Sequence, residues 1–84
     1  MEITTLKDTV PGMLSEDYKE RFKAEYYQLK IRYNKLCEML RKWEAGELEF
    51  TPTCTRELLE EQSNAMYNYM KILELRAQNE GVVL

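Results

Sequence analysis

Apolar residues recur every three or four positions between Tyr18 and Trp43, a period typical of a helix that packs along one side. Successive members are spaced 4-4-3-4-3-4-3, which keeps one apolar seam facing a partner helix. No proline or glycine interrupts the chain between Gly12 and Gly46, so we predict a first helix over about residues 15–45, capped by Ser15. The seam comprises Tyr18, Phe22, Tyr26, Leu29, Tyr33, Leu36, Leu40 and Trp43.

A second helix is predicted over about residues 55–80, after a turn at 46–54 that contains the segment GELEFTPTC. Pro52 disfavours helix at the residue before it, whereas Thr53 or Thr55 can cap a helix that follows. Gly81 is a typical residue just beyond a helix end. The inward stripe of this helix comprises Leu59, Gln62, Met66, Tyr69, Leu73 and Ala77.

These elements predict an all-α fold, an antiparallel two-helix hairpin over residues 15–84 with a short N-terminal arm over residues 1–14. The arm is polar and contains the turn signal Pro11-Gly12, so we expect a loosely ordered segment or a brief strand. The apolar arc of the second helix is wider than one seam can cover, which predicts assembly of the hairpin into a helical oligomer. Candidate interface residues are Ile31, Leu58, Ala65, Tyr67, Met70 and Ile72.

The chain offers little for catalysis. It has 84 residues and no histidine, so the commonest general base and the usual zinc ligand are absent. Cys37 and Cys54 form no CxxC motif, and we expect them to be reduced thiols. We therefore predict a non-enzymatic protein without a metal site or cofactor. No stretch approaches the roughly 20 apolar residues of a membrane span, and we expect a cytoplasmic protein.

Charge is unevenly distributed along the chain, whose net charge is −3. Residues 18–42 carry eight basic and three acidic side chains, whereas residues 43–84 carry three basic and eight acidic ones. The overall balance gives no strong nucleic-acid signal. A locally basic helix can instead hold a smaller anion, or it can match the acidic second helix.

Two groups of residues are candidate ligand contacts. Tyr27 shares a helix face with Lys23 and Lys30, a pattern in which a base stacks on tyrosine and lysines contact phosphates. Thr55 and Arg56 at the start of the second helix add free backbone N–H groups, a hydroxyl and a guanidinium. The alternative interpretation is that the lysines form ion pairs with nearby glutamates and that Thr55 is an ordinary cap.

Three segments, FKAEYYQLKIRYNKL, GELEFTPTC and LLEEQSNAMYNYMKILELRAQNEG, resemble a family of small helical proteins encoded by bacteriophages and prophages, including crAss-like phages. The layout, with Thr55-Arg56-Glu57 at the start of the second helix, is also similar, more loosely, to the hairpin domain of anti-CBASS and anti-Thoeris sponge proteins. The resemblance implies oligomers that sequester cyclic-nucleotide immune signals between subunits, in the cytoplasm of the infected bacterium.

Three functions follow as hypotheses. The first is sequestration of a cyclic oligonucleotide at a subunit interface, with Tyr27 on a base and Lys30 and Arg56 on phosphates. The second is an anti-CRISPR type of inhibitor, which would block a host defence protein through an acidic surface that mimics nucleic acid. The third is a structural or regulatory helical phage protein without a defence target.

Overall fold

The computed structural model describes residues 3–84, and within that range the chain is helical and has no strand. A 3₁₀ turn at Leu6–Thr9 leads into α1 (Val10–Met13), followed by α2 (Tyr18–Glu44) and α3 (Arg56–Glu80). Contacts between Tyr18 and Glu80 at one end and between Tyr33 and Tyr67 farther along show that α2 and α3 run antiparallel. The predicted all-α fold with two packed long helices is thus confirmed. Within residues 3–84, no helix combines the length and apolarity that crossing a membrane requires.

The start of α2 differs from the prediction. Its cap is Asp17, whose carboxylate accepts a hydrogen bond from the Lys19 N–H at 3.0 Å, and the helix begins at Tyr18. Ser15 instead accepts a hydrogen bond from the Asp17 N–H at 3.0 Å, so it stabilises the turn before the helix. At the other end α2 stops at Glu44, and Gly46 has a φ of 73°, the left-handed conformation that favours glycine.

Local chemistry sets both ends of α3. The Thr55 hydroxyl accepts a hydrogen bond from the Leu58 N–H at 3.2 Å, so Thr55 rather than Thr53 is the cap. Gly81 ends the helix with a φ of 69°. The chain then turns back, and the Val82 N–H donates to the Ala77 carbonyl at 2.9 Å.

The core lies at one end of the hairpin, where α2 begins and α3 ends. Leu73 is fully buried there, and within the described chain no residue from 27 to 69 is buried. Met70 belongs to this core, with 8% of its surface exposed, although the sequence placed it among the interface residues. Its neighbour Tyr69, predicted to face inward, is 43% exposed, because α3 turns Met70 toward α2 instead. The core comprises Phe22, Tyr26, Met70, Leu73, Ala77 and Val82.

The N-terminal arm is more ordered than expected. Its 3₁₀ turn and α1 both pack against the first turns of α2. Gly12 permits this close approach, since a Cβ at that position would lie 3.0 Å from the Ala24 Cβ and 3.2 Å from the Glu20 carbonyl oxygen. Thr9, at the end of the 3₁₀ turn, is buried and donates a hydrogen bond to the Leu6 carbonyl at 2.7 Å. The expectation of a loosely ordered arm or a strand is therefore wrong for residues 3–14.

Candidate ligand-binding groove

An open groove of about 700 Å³ lies between the arm, α2 and the tail, which we define as residues 82–84. All three segments contribute to its lining, at the end of the hairpin that holds the core. Two of the predicted ligand-binding residues, Lys23 and Tyr27, line it. Its lining also includes Ile3, Asp8, Glu20, Val83 and Leu84.

Tyr27 supplies an aromatic wall with a fixed orientation. It is half-buried and packs against the core, and its ring meets the Tyr26 ring edge-on, with centroids 5.3 Å apart and planes at 83°. The Tyr26 hydroxyl is itself anchored, since it donates to Glu74 Oε2 at 2.8 Å. A ring held in this way loses little freedom when a planar ligand stacks on it.

Asp8 adds an oriented carboxylate to the lining of the groove, and the sequence analysis did not single it out. Its Oδ2 accepts hydrogen bonds from the Thr4 N–H and hydroxyl, both at 3.1 Å, and from the Thr5 N–H at 3.0 Å. These bonds, the backbone ones first, hold the pKa of Asp8 below its usual value, so the carboxylate stays ionised at neutral pH. The capping-box spacing of Thr5 and Asp8 is the sequence signal that could have found this residue.

The two predicted lysines differ in their surroundings. Lys23 forms an ion pair with Glu20, with Nζ and Oε1 3.6 Å apart, which is the contact that the alternative interpretation expected. Lys30 lies one helical turn beyond Tyr27, is exposed, and has no carboxylate within 4 Å in the described chain. The hydrogen bond from Tyr26 is the main cause that lowers the pKa of Glu74, Lys71 lowers it further, and the positive charge of Lys30 adds a smaller effect. Lys30 is thus the more available cation for an anionic ligand.

Thr55 and Arg56 lie at the other end of the hairpin. The Arg56 guanidinium sits over the Trp43 ring, 5.1 Å from its centroid, and it lines a smaller groove of about 330 Å³ with Arg41. Trp43 is sixteen residues beyond Tyr27 on α2, which corresponds to about 24 Å along the helix. The predicted site therefore divides into two, and a small ligand that contacts Tyr27 can reach Arg56 only on a second chain.

The predicted interface residues other than Met70 remain accessible. Leu58, Tyr67 and Ile72 are 55%, 47% and 56% exposed, Ala65 is also exposed, and Ile31 is half-buried just beyond the groove. Tyr67 contacts the Tyr33 ring on α2, with centroids 6.3 Å apart. These residues do not form one surface, since Tyr67 lies on the side of α3 away from Leu58 and Ile72.

In the described part of the chain, the cysteines and carboxylates do not assemble into a metal site. Cys37 is half-buried and Cys54 is exposed, and both are free thiols. Within residues 3–84, no cluster of three or more cysteine, aspartate or glutamate side chains is arranged to hold a metal ion.

Comparisons with known proteins give one match. No curated protein matches the sequence significantly. No solved structure matches it significantly either. The Sequestin family model, in contrast, matches residues 16–79, which include all of α2 and nearly all of α3. Since this match extends over most of the 84 residues, the protein belongs to the Sequestin family.

Proposed function

We propose that this protein is a non-enzymatic binding protein that sequesters a nucleotide signal, most simply a cyclic oligonucleotide, in the groove beside Tyr27. The family name indicates a binding, sequestering role. The observation that carries the choice of ligand is the oriented tyrosine ring in an open groove, with the exposed Lys30 one helical turn away. The arrangement requires no catalytic group, since sequestration needs only affinity.

The charges around the groove favour one orientation of such a ligand. Asp8 and Glu20 place two carboxylates in the groove, and the ion pair with Glu20 offsets the positive charge of Lys23. The interior of the groove therefore disfavours a phosphate group. The base would therefore stack on Tyr27 inside the groove, where Asp8 Oδ1 can accept a hydrogen bond from an exocyclic amino group. The phosphates would lie toward solvent, where Lys30 can contact them. Thr55 and Arg56 would contribute to the same ligand only from a neighbouring subunit.

The biological setting of the proposal rests on the resemblance to phage and prophage proteins. In that setting the protein would lower the concentration of a free signal that activates a CBASS or Thoeris defence in the bacterial cytoplasm. A sequestering protein must be present in amounts comparable to its ligand, because each site removes only one molecule.

Isothermal titration calorimetry with a panel of cyclic di- and trinucleotides tests the proposal. Base stacking on an aromatic residue contributes about 1–3 kcal/mol, so Tyr27→Leu should weaken binding between about fivefold and a hundredfold. Tyr27→Phe retains the ring and should bind nearly as well as the natural protein. Tyr67→Leu is the matched control, since Tyr67 is a half-exposed tyrosine outside the groove.

Two results would contradict the proposal. One is the absence of binding by any member of the panel to the natural protein at high micromolar concentration. The other is equal loss of affinity in Tyr27→Leu and Tyr67→Leu variants that both retain their helical content. Loss in Tyr27→Leu alone, with the phenylalanine variant unaffected, would support stacking at Tyr27.

A second candidate function, inhibition of a host effector by protein contact, is favoured by the acidic start of α3. Glu57, Glu60 and Glu61 are all exposed and make no ion pair within the described residues. Such a surface can mimic the charge of nucleic acid. Reversal of these three charges to lysine should abolish effector inhibition but leave nucleotide binding at Tyr27 unchanged, which separates the two functions.

A further inference from the structure

The groove beside Tyr27 contains a carboxylate that is fixed before any ligand arrives. Asp8 is half-buried in the lining, and its Oδ2 accepts three hydrogen bonds from Thr4 and Thr5, at 3.0 and 3.1 Å. These bonds converge on Oδ2, so Oδ1 is the oxygen that a ligand in the groove would meet. Because the carboxylate is already oriented, it loses little freedom when it accepts a hydrogen bond from a ligand.

The other charged pair in the groove has a different character. Glu20 is exposed, and its Oε1 lies 3.6 Å from Lys23 Nζ, one turn along α2. A lysine ammonium has three N–H donors, so Lys23 can keep this ion pair and still donate a hydrogen bond to a ligand. The groove therefore offers a planar ligand one fixed anionic acceptor, Asp8, and one cationic donor, Lys23.

The common bases differ in what their Watson–Crick edges present to such a pair of groups. Guanine has the O6 acceptor followed by two adjacent donors, N1–H and the N2 amino group. Adenine and cytosine each have an amino donor beside a ring nitrogen that accepts, and uracil has an N–H between two carbonyl groups. An ionised carboxylate only accepts hydrogen bonds, so two adjacent donors attract it and a neighbouring lone pair repels it. Guanine is the base whose edge matches a carboxylate beside an ammonium group.

We propose that the groove selects guanine, with N1–H and the N2 amino group donating to Asp8 and with O6 accepting from Lys23. The inference rests on the proposed function, since it names the base that stacks on Tyr27. Stacking on Tyr27 supplies affinity that every base can use, because every base has an aromatic face. Asp8 then determines specificity through hydrogen bonds to a charged group, which are stronger than neutral ones. Adenine offers Asp8 one donor in place of two, with the N1 lone pair beside it.

A series of cyclic dinucleotides that differ only in the base tests this specificity on the natural protein. The probes are cyclic di-GMP, cyclic di-AMP and cyclic di-IMP, whose hypoxanthine base keeps O6 and N1–H but lacks the N2 amino group. Calorimetry should give the tightest binding for cyclic di-GMP. We expect cyclic di-IMP to bind about tenfold more weakly and cyclic di-AMP about tenfold to a hundredfold more weakly, through the lost hydrogen bonds to a charged group.

Two variants identify the carboxylate that reads the base. Asp8→Asn keeps the size of the side chain and an oxygen that can accept from Thr4 and Thr5, but it removes the charge. In this variant the preference for cyclic di-GMP over cyclic di-AMP should fall at least about tenfold. Glu20→Gln is the matched control, since it neutralises the other carboxylate of the groove and should leave the preference unchanged. Circular dichroism checks that both variants keep their helical content.

The outcomes separate this inference from the proposed function. A preference for cyclic di-GMP that is lost in Asp8→Asn and kept in Glu20→Gln supports the selection of guanine by Asp8. Equal affinity for cyclic di-GMP and cyclic di-AMP, with both weakened by Tyr27→Leu, overturns the selection of guanine but leaves the proposed function in place. A preference that survives Asp8→Asn also overturns the inference. If no cyclic nucleotide binds the natural protein, the proposed function fails and the inference fails with it.

Discussion

Replacement of single leucines along α3 tests whether the core lies at one end of the hairpin. Leu73 is fully buried against Phe22 and Tyr26, whereas Leu59 is only half-buried near the turn. Leu→Ala at a fully buried site costs about 3–4 kcal/mol, through lost burial and the cavity left behind. A chain of 84 residues has a free energy of unfolding of only about 4–13 kcal/mol. Leu73→Ala should therefore remove a large part of the stability.

Leu59→Ala provides the matched comparison, with the same chemical change on the same helix. Because Leu59 retains contact with water, we expect a cost of about 1–2 kcal/mol, roughly half of that at Leu73. Urea unfolding followed by far-ultraviolet circular dichroism at low micromolar concentration measures both values, provided that the slope with urea is unchanged. If Leu59→Ala costs as much as Leu73→Ala, the core extends along the whole hairpin and the reasoning is refuted.

Three further changes test individual contacts by the same unfolding measurement. Thr55→Ala should cost about 1 kcal/mol through the lost cap, whereas Thr53→Ala should change little, and equal costs would contradict the assignment of the cap. Gly81→Ala should cost about 1 kcal/mol because alanine resists the φ of 69°, and a neutral effect would contradict the described helix end. Tyr26→Phe should cost about 1–2 kcal/mol by removing the hydrogen bond to Glu74. That bond lowers the pKa of Glu74, so its contribution is present above the ordinary value of 4.5 and is lost as the pH falls below it. The Tyr26→Phe variant should therefore lose less stability on acidification than the natural protein. If the free energy of unfolding depends on pH in the same way in both proteins, the hydrogen bond does not contribute as described.

Sequence patterns predicted the ends of the helices well where residues near each end determine them. Thr55 accepts a hydrogen bond from its own helix, and Gly81 adopts a conformation that other residues resist, so neither depends on distant contacts. The prediction that Ser15 caps the helix was wrong. Asp17, two residues later, is an equally good capping residue, and its side chain accepts the capping hydrogen bond. Met70 and Tyr69 are adjacent at the edge of the apolar arc, and only the packed pair of helices determines which one turns inward.

The groove could not be predicted from the sequence, because it is formed by segments that are far apart along the chain. The arm helix has only four residues, too few for a stable isolated helix, so it is held by packing of Gly12 against Ala24. The periodicity of α2 correctly set Tyr27 beside the seam. Its neighbours in the groove, Asp8 and Leu84, come from distant parts of the chain and could not be paired with it in advance.

The presence of residues 3 and 84 in the lining of one groove has a practical consequence for handling the protein. Ile3 and Leu84 both line it, so an affinity tag or fluorescent protein fused at either end would crowd the proposed binding site. The exposed thiol of Cys54 lies instead in the turn between the long helices, at the far end of the hairpin. A dye or a sensor surface is better attached there, where it leaves the groove accessible.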